Sequence, residues 1–254
     1  MKNLEEHKKI AILIDADNTQ MKKLKAILEE LSLHGHVVTK RAYGDWSSDY
    51  LKNWKTTLNE LAINPIQQFS YTSGKNATDA SMIIDAMDLL YSNKYDAFAL
   101  VSSDSDFTKL ASRIREEEIF VFGIGEHKTP LSFRNACDDF IFIENLSIEE
   151  IIVNEVISIE QKNGNSNDDV KKVEELIEFF EHAWTKYQDE DGWVNVAAVG
   201  NFLKRTRPDF DPRSYGYQKI PQIIEKLNTN FEMRKYQGKG RVTIVAYKPL
   251  KKSI

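Results

Sequence analysis

Aspartates recur at three places in the first half of the chain, each beside a segment that could carry it to a common point. These segments are Asp15-Ala16-Asp17-Asn18, Thr78-Asp79-Ala80 and Ser102-Ser103-Asp104-Ser105-Asp106. Carboxylates gathered in one place repel one another, and their pKa values rise unless a cation lies among them. Oxygen-only ligands favour a hard ion, Mg²⁺ or Mn²⁺, over zinc. The pattern therefore predicts a divalent metal site formed by Asp15, Asp79, Asp104 and Asp106.

Such a site suits the hydrolysis of phosphate esters, because a bound divalent ion activates water and neutralises a bridging phosphate. Asn18, Ser102 and Ser103 add hydrogen-bonding groups to the same region, and Lys75 is a candidate for phosphate contact. Each residue alone also has an ordinary structural explanation. An acid in the first turn of a helix, such as Asp79, is favoured by the helix dipole, and exposed lysines are usually only solvated. The combination of the three acidic segments favours a functional site.

The elements that would position these acids alternate along the first 147 residues. Apolar runs rich in Val, Ile, Leu and Phe predict strands at residues 10–15, 37–42, 66–69, 97–102, 119–124 and 140–143. Helix-period stretches lie between them at residues 21–33, 49–62, 79–92, 107–116 and 131–137. Runs without polar alternation are typical of strands covered on both faces, so we predict a parallel α/β sheet with flanking helices. Active groups in such sheets lie beyond the carboxyl ends of strands, where the strand order reverses.

A polar stretch predicts the division of the chain into modules. The periodic pattern decays after residue 144, and residues 161–169 are polar enough to form a linker. We predict domains at residues 1–147 and 170–254, joined by a linker at 148–169. In the second domain, predicted helices at 170–184, 196–204 and 217–228 precede two strands within residues 231–247. Three helices followed by a hairpin indicate a winged-helix domain.

Charge and cysteine content limit the classes of protein. The 254 residues carry a net charge of −5, yet residues 201–254 contain thirteen Lys or Arg against four Asp or Glu. A basic end suits a polyanionic partner, although a solvated basic surface explains the same charge. The single Cys137 excludes an internal disulfide and fits a reducing compartment, so the cytoplasm is expected. The charged start of the chain resembles neither a secretory signal nor a membrane span, and no membrane partner is expected.

The acidic segments of the first domain resemble those of the NYN family, the PIN-like nuclease domains that include bacterial LabA-like proteins. The matching segments begin at Ile12, Thr78 and Leu100, and the resemblance extends over residues 9–145. It implies a PIN-like three-layer α/β/α fold and metal-dependent cleavage of RNA. It also implies that Asp15, Asp79, Asp104 and Asp106 bind the metal and that Asn18 orients substrate or water. One departure is the segment Lys75-Asn76-Ala77-Thr78, where many relatives have a Lys-Gly pair before the helix acid.

The C-terminal part resembles an OST-HTH, or LOTUS, domain over residues 170–248. The resemblance lies in Asp191-Gly192-Trp193-Val194, in the segment from Pro208 to Arg213, in Tyr215-Gly216-Tyr217 and in Phe231-Glu232-Met233. It implies RNA binding in some relatives and protein binding in others. Arg213 and Lys219 are the basic candidates for phosphate contact, and Tyr215 offers a face for base stacking.

The leading hypothesis is a Mg²⁺- or Mn²⁺-dependent ribonuclease whose basic winged-helix domain recruits single-stranded or structured RNA. One alternative is a haloacid-dehalogenase-type phosphatase with Asp15 as nucleophile and Asp17 as general acid, although no cap insertion is evident. A second alternative is an adaptor that binds RNA or protein without turnover. The sequence leaves open the RNA substrate and base preference, endonucleolytic or exonucleolytic action, the number of metal ions, a homodimeric state and a protein partner of the C-terminal domain.

Overall fold

The computed structural model describes residues 8–69, 77–146, 167–238 and 243–250, with only the backbone of residues 167–172. These residues form two compact units that divide near residue 148. Most of the predicted linker, at residues 148–169, lies outside the described residues, and so does Lys75.

The first unit alternates strands and helices. Its strands are β1 (Lys9–Asp15), β2 (His36–Gly44), β3 (Asn64–Gln67), β4 (Ala97–Val101), β5 (Phe120–Gly125) and β6 (Asp139–Phe142). Its α-helices are α1 (Leu24–Ser32), α2 (Trp54–Glu60), α3 (Ala77–Tyr91), α4 (Thr108–Glu116) and α5 (Leu131–Ala136). The predicted alternation is therefore confirmed.

The described strands of this unit form one parallel sheet in the order β3-β2-β1-β4-β5-β6. The order reverses between β1 and β4, which pair directly, with Ile14 opposite Val101. Successive residues of β1 pack on opposite faces of the sheet. Ile12 and Ile14 contact the α1 and α2 side, whereas Leu13 contacts the α3, α4 and α5 side. This is the predicted PIN-like three-layer α/β/α arrangement, and it explains why the strands are apolar without alternation.

Some boundaries differ from those predicted. The predicted helices at 21–33 and 49–62 each open with a 3₁₀ turn, at Met21–Lys23 and Asp49–Leu51, before the α-helix begins. The edge strand β3 starts two residues before the predicted 66–69 segment, because it follows the register of β2, where Arg41 lies opposite Asn64. Register with a neighbouring strand is a long-range property that local composition does not encode.

The second unit has the helices and hairpin of a winged helix. The helices are α6 (Asn167–Tyr187), α7 (Val196–Thr206) and α8 (Ile220–Lys226), and the strands are β7 (Val194–Asn195), β8 (Phe231–Gln237) and β9 (Thr243–Pro249). The described strands form an antiparallel sheet in the order β7-β9-β8, so the short strand β7 adds to the predicted hairpin. Phe180, Phe231 and Tyr247 meet edge to face in the core. The buried Tyr247 hydroxyl donates a hydrogen bond to the Phe180 carbonyl at 2.8 Å.

Candidate metal centre

The predicted acids come together at the carboxyl ends of β1 and β4, where the strand order reverses. Asp15 is the last residue of β1, and Asp104 and Asp106 follow β4. Asp79 lies in the first turn of α3, which packs on the same part of the sheet. The topology thus turns acids that are far apart in the sequence into neighbours, as expected for an open parallel sheet.

Three of the acids form the closest group. Asp79, Asp104 and Asp106 each offer a carboxylate oxygen, and these oxygens lie within 4.8 Å of one another. Oxygen ligands on opposite sides of an octahedral Mg²⁺ are about 4.2 Å apart, given metal–oxygen distances of about 2.1 Å. The spacing therefore suits one hard divalent ion after a small inward movement of the side chains.

The turn after β4 gives Asp104 and Asp106 their positions. The Asp104 backbone amide donates to the Ser102 hydroxyl at 3.1 Å, and the Asp104 carboxylate accepts from the Asp106 amide at 2.9 Å. Asp104 is thus the N-cap of the 3₁₀ turn Ser105–Phe107, and the buried Phe107 side chain anchors that turn in the core. Side-chain caps of this kind are typical of Asp. Here the cap also places the carboxylates of Asp104 and Asp106 beside each other.

Asp15 is not part of this group of three acids and is more deeply buried than they are. Its side chain is completely buried, and its Oδ2 accepts hydrogen bonds from Asn18 Nδ2 at 2.9 Å and from Ser102 Oγ at 2.8 Å. Its Oδ1 is buried and has no hydrogen-bond partner among the described residues. A buried carboxylate oxygen without a partner is costly, and a cation or a metal-bound water would satisfy it. The donor set and this oxygen therefore fit a divalent metal.

Burial and mutual repulsion act on the pKa values of these acids. Burial raises the pKa of Asp15, and the hydrogen bonds from Asn18 and Ser102 oppose that rise. Burial, followed by the charges of Asp15 and Asp104, raises the pKa of Asp79 to about 6. Carboxylates with raised pKa values in one place are typical of a functional site, and a bound cation would reverse their repulsion.

The predicted substrate-binding residues of this unit have structural contacts as well. Besides the hydrogen bonds from Asn18 and Ser102 to Asp15, the Ser103 hydroxyl accepts from the Glu126 amide at 2.9 Å and joins the loops after β4 and β5. Asn18 is exposed, Ser103 is partly buried and Ser102 is buried, so Asn18 is the most accessible of the three to a substrate. Their role toward substrate stays a prediction.

We call the site formed by Asp15, Asp79, Asp104 and Asp106 the acidic mouth. Several polar contacts around it are not evident from the sequence. The Thr78 hydroxyl donates to Asp17 at 3.1 Å and joins α3 to the loop after β1. Gln20 donates to Glu126 at 3.0 Å between the loops after β1 and β5. Asp85 accepts hydrogen bonds from Arg41 and from the Tyr43 hydroxyl. An acid within the apolar stretch of α3 is a sequence signal that Asp85 has a polar partner. The sequence does not show that the partners are Arg41 and Tyr43.

The predicted RNA-binding residues of the second unit differ in their surroundings. Arg213 binds the Asp211 carboxylate through Nε and Nη2, with the closest contact at 2.9 Å. The Tyr215 ring is half-buried, 5.8 Å from the Phe210 ring, and burial raises its pKa. Lys219 is exposed just before α8. Of the three, Lys219 is therefore the residue most accessible to a phosphate.

The Trp193 ring is largely buried, but it also contacts a cluster of charged side chains at the surface. Its ring lies 4.2 Å from the Arg234 guanidinium carbon and 4.6 Å from Lys248 Nζ. Arg234 also lies 5.1 Å from the Tyr236 ring and 3.8 Å from the Asp189 carboxylate. We call Trp193, Arg234, Tyr236 and Lys248 the wing cluster. Its cations are stabilised by aromatic faces.

The three-layer α/β/α fold of the first unit, with its acids at the reversal of strand order, is that of a PIN-like domain. A model of the NYN domain matches residues 9–144, more than half of the chain, and the chain belongs to this family. A model of the OST-HTH/LOTUS domain matches residues 169–243. The suspected architecture is thus confirmed: a domain of a PIN-like nuclease family precedes a domain of a type that binds RNA.

The chain is also similar to an uncharacterized protein and to a protein of unknown function. The chain is 29% identical over 175 residues to the uncharacterized protein MJ0482 of Methanocaldococcus jannaschii, a match that covers 64% of this chain and 69% of that protein. The structure is similar to the crystal structure of VPA0982, a protein of unknown function from Vibrio parahaemolyticus. That likeness has a TM-score of 0.46 and 21% identity, and it covers 54% of this chain and 93% of the other.

Within the described ranges, every helix is too short or too polar to cross a membrane.

Proposed function

We propose that the protein is a ribonuclease that hydrolyses RNA phosphodiester bonds with Mg²⁺ or Mn²⁺ bound at Asp79, Asp104 and Asp106. The observation that carries this proposal is the group of three carboxylates whose oxygens lie within 4.8 Å of one another at the reversal of strand order. Membership of a PIN-like nuclease family supports it, because such nucleases typically depend on divalent metals.

Each residue of the mouth has a separate task in this proposal. Asp79, Asp104 and Asp106 would hold the metal, which supplies an activated water and neutralises phosphate charge when bound. Asp15 adds negative charge from below, and its unpartnered Oδ1 would accept a hydrogen bond from a water held in the mouth. The exposed Asn18 amide, fixed by its bond to Asp15, would orient the phosphate or the attacking water.

The C-terminal domain would bring RNA to this site. Domains of the OST-HTH/LOTUS type bind RNA, and the exposed Lys219 is the predicted phosphate contact that is best placed to act. Arg213 and Tyr215 stay candidates, but an RNA phosphate would compete with Asp211 for Arg213.

The phosphatase alternative has weaker support. Its nucleophile would be Asp15, yet this side chain is completely buried and hydrogen-bonded through Oδ2. An aspartyl nucleophile must reach phosphorus directly. Phospho-aspartate trapping during turnover of an aryl phosphate would revive this alternative.

Cleavage of 5′-labelled RNA and DNA by the purified full chain, with and without Mn²⁺, tests the nuclease proposal. We expect Mn²⁺-dependent hydrolysis of single-stranded RNA by the natural protein, and its loss in Asp15→Asn and Asp104→Asn variants that remain folded. Asp88→Asn, which removes an exposed acid of α3, is the matched control and should keep full activity. Undiminished cleavage by a homogeneous Asp15→Asn or Asp104→Asn preparation would refute the assignment of that residue. RNA binding without any metal-dependent cleavage would favour the adaptor.

A further inference from the structure

A polar contact beneath α3 connects the helix that carries Asp79 to the neighbouring strand of the sheet. Asp85 lies six residues after Asp79 in α3. One of its oxygens accepts a hydrogen bond from the Arg41 guanidinium, and the other accepts from the Tyr43 hydroxyl. Arg41 and Tyr43 both belong to β2. We call these three residues the α3 tie.

The environment of the α3 tie makes its contacts strong and directional. The Arg41 and Asp85 side chains are only 29% and 22% exposed, and the Tyr43 side chain is fully buried. Burial, together with the Asp85 carboxylate, raises the pKa of Tyr43, so its hydroxyl stays protonated and donates. Hydrogen bonds to a charged group are shorter and stronger than neutral ones, and partial burial protects them from screening.

The other contacts of α3 with the sheet are apolar and define its position along its axis less sharply than hydrogen bonds do. Met82, Ala86, Leu89 and Leu90 pack against the apolar face of the sheet. Apolar packing is non-directional. If α3 slid by one residue along its axis, it would move Asp79 by about 1.5 Å. The Thr78 hydroxyl donates a hydrogen bond to Asp17 near the first turn of α3, and the α3 tie lies in its middle. At the far end of the helix, Tyr91 accepts a hydrogen bond from Arg113 of α4. Of these directional contacts, the first two lie closest in the chain to Asp79.

The α3 tie is also connected to the end of β1. Tyr43 lies opposite Asp15 in the β1–β2 ladder, and its carbonyl accepts a hydrogen bond from the Ala16 amide at 2.9 Å. The backbone of Tyr43 thus holds the strand end that carries Asp15, while its side chain holds the helix that carries Asp79. Tyr43 therefore links the positions of Asp15 and Asp79.

We propose that Arg41, Tyr43 and Asp85 are positioning residues that keep the Asp79 carboxylate at metal-binding distance from Asp104 and Asp106. This inference rests on the proposed function of the acidic mouth. Residues that orient metal ligands without touching the metal commonly change metal affinity by about 10- to 100-fold when they are replaced. The α3 tie would act in this way, through a helix rather than through a direct hydrogen bond to the ligand.

Calorimetric titration of the full chain with Mn²⁺ at low temperature, without RNA, tests the proposal. We expect Asp85→Asn to weaken Mn²⁺ binding by about 10-fold or more, by analogy with other ligand-orienting residues. Asp88→Asn removes the same charge from the same helix but lies outside the α3 tie, and it should leave the affinity unchanged. Tyr43→Phe removes only the hydroxyl and should weaken binding by a smaller factor. It also tests the proposal if Asp85→Asn fails to fold.

A purely structural role of the α3 tie predicts a different result. In that case Asp85→Asn and Tyr43→Phe would lower the melting temperature, but the folded proteins would bind Mn²⁺ with the natural affinity, and the proposal would be overturned. Asp104→Asn should abolish the Mn²⁺ binding that the natural protein shows. That result would place the binding at the acidic mouth, where the variants are compared. An absence of Mn²⁺ binding to the natural protein would instead overturn the metal site itself and the inference with it.

Discussion

The acidic mouth of the first domain and the wing cluster of the second differ in how their charges are paired. In the wing cluster, Arg234 and Lys248 flank the Trp193 ring, and acids lie beside them, Asp189 near Arg234 and Glu232 at 3.0 Å from Lys248. In the acidic mouth, Asp79 is surrounded by Asp15, Asp104 and Asp106, and their like charges help to raise its pKa. The first arrangement stabilises itself, whereas the second is destabilised until something positive enters it.

This difference separates residues that maintain a fold from residues that await a ligand. Charges that are paired with opposite charges or aromatic faces stabilise a structure without a partner, so they are weak evidence of function. Like charges held together against their repulsion need an explanation outside the fold, and a ligand provides it. We therefore expect metal binding at the acidic mouth to change the stability of the first domain. Truncation of the wing cluster should change the stability of the second.

Truncation of the wing cluster should give the largest change in stability. Trp193→Ala removes a buried ring together with its contacts to Arg234 and Lys248, and we expect a loss of about 3 kcal/mol. Hydrogen exchange at the amides of β8 and β9 in the full chain measures this loss. Mn²⁺ affinity should stay at its natural value, and a parallel fall in affinity would show that the two regions are coupled.

Addition of Mn²⁺ should stabilise the first domain and leave the second unchanged. Mn²⁺ at 100 times its dissociation constant should stabilise the first domain by about 2.7 kcal/mol, because it binds the folded state alone. Hydrogen exchange should therefore slow in β1 and β4 and stay unchanged in β8 and β9. The Asp104→Asn protein is the control and should show no such protection. Equal protection of both domains would contradict a metal site confined to the acidic mouth.

Acidification should weaken metal binding and stabilise the metal-free domain at the same time. The pKa of Asp79 is raised to about 6, so from pH 7 to pH 5 its protonation should reduce Mn²⁺ affinity by about tenfold, or about 1.4 kcal/mol. In the absence of metal, the folded state binds this proton more tightly than the unfolded chain does. The contribution of Asp79 to stability therefore increases as pH falls through 6 and levels off near 4, close to the ordinary pKa of Asp.

Titrations at several pH values, combined with melting curves with and without Mn²⁺, measure both effects. In Asp79→Asn, the metal-free gain in stability between pH 7 and pH 5 should shrink. A natural protein whose Mn²⁺ affinity does not change over this range would contradict the role of Asp79 as a ligand with a raised pKa.

Replacement of a single exposed lysine should have the smallest effect. Lys219→Ala should weaken RNA binding only modestly and reduce the slope of log affinity against log salt by about 0.7, the value for one contact with single-stranded nucleic acid. Lys25→Ala, which removes a lysine that is 78% exposed on α1, is the matched control and should leave the slope unchanged. Equal losses in the two variants would mean that RNA binding reports only net charge.

Much of the architecture could be read from the sequence because it depends on local pattern. The apolar runs of β1 and β4 predicted strands covered on both faces, and each ends beside acids, at Asp15 and Asp104. General rules for open parallel sheets then placed these acids at one edge. The segment around Asp79 predicted the helix that brings a further acid to the same edge.

Contacts between distant segments were beyond the reach of the sequence. It predicted a site of four acids, but it could not show that Asp79, Asp104 and Asp106 are closely spaced while Asp15 is completely buried. Arg213 and Tyr215 were predicted at an RNA surface, and the structure shows that Asp211 and Phe210 already contact them. Solvent exposure and pairing depend on neighbours that local composition does not identify.

The sequence by itself determined the kinds of atoms available: carboxylates after apolar strands in one domain and basic residues in the other. Only the tertiary structure decided that Asp85 binds Arg41 and Tyr43, more than 40 positions earlier in the chain. The reason is physical. Helix and strand periodicity follow from neighbouring residues, whereas the meeting of α3 with β2 depends on how the whole sheet orders its strands and on which side chains remain buried there together.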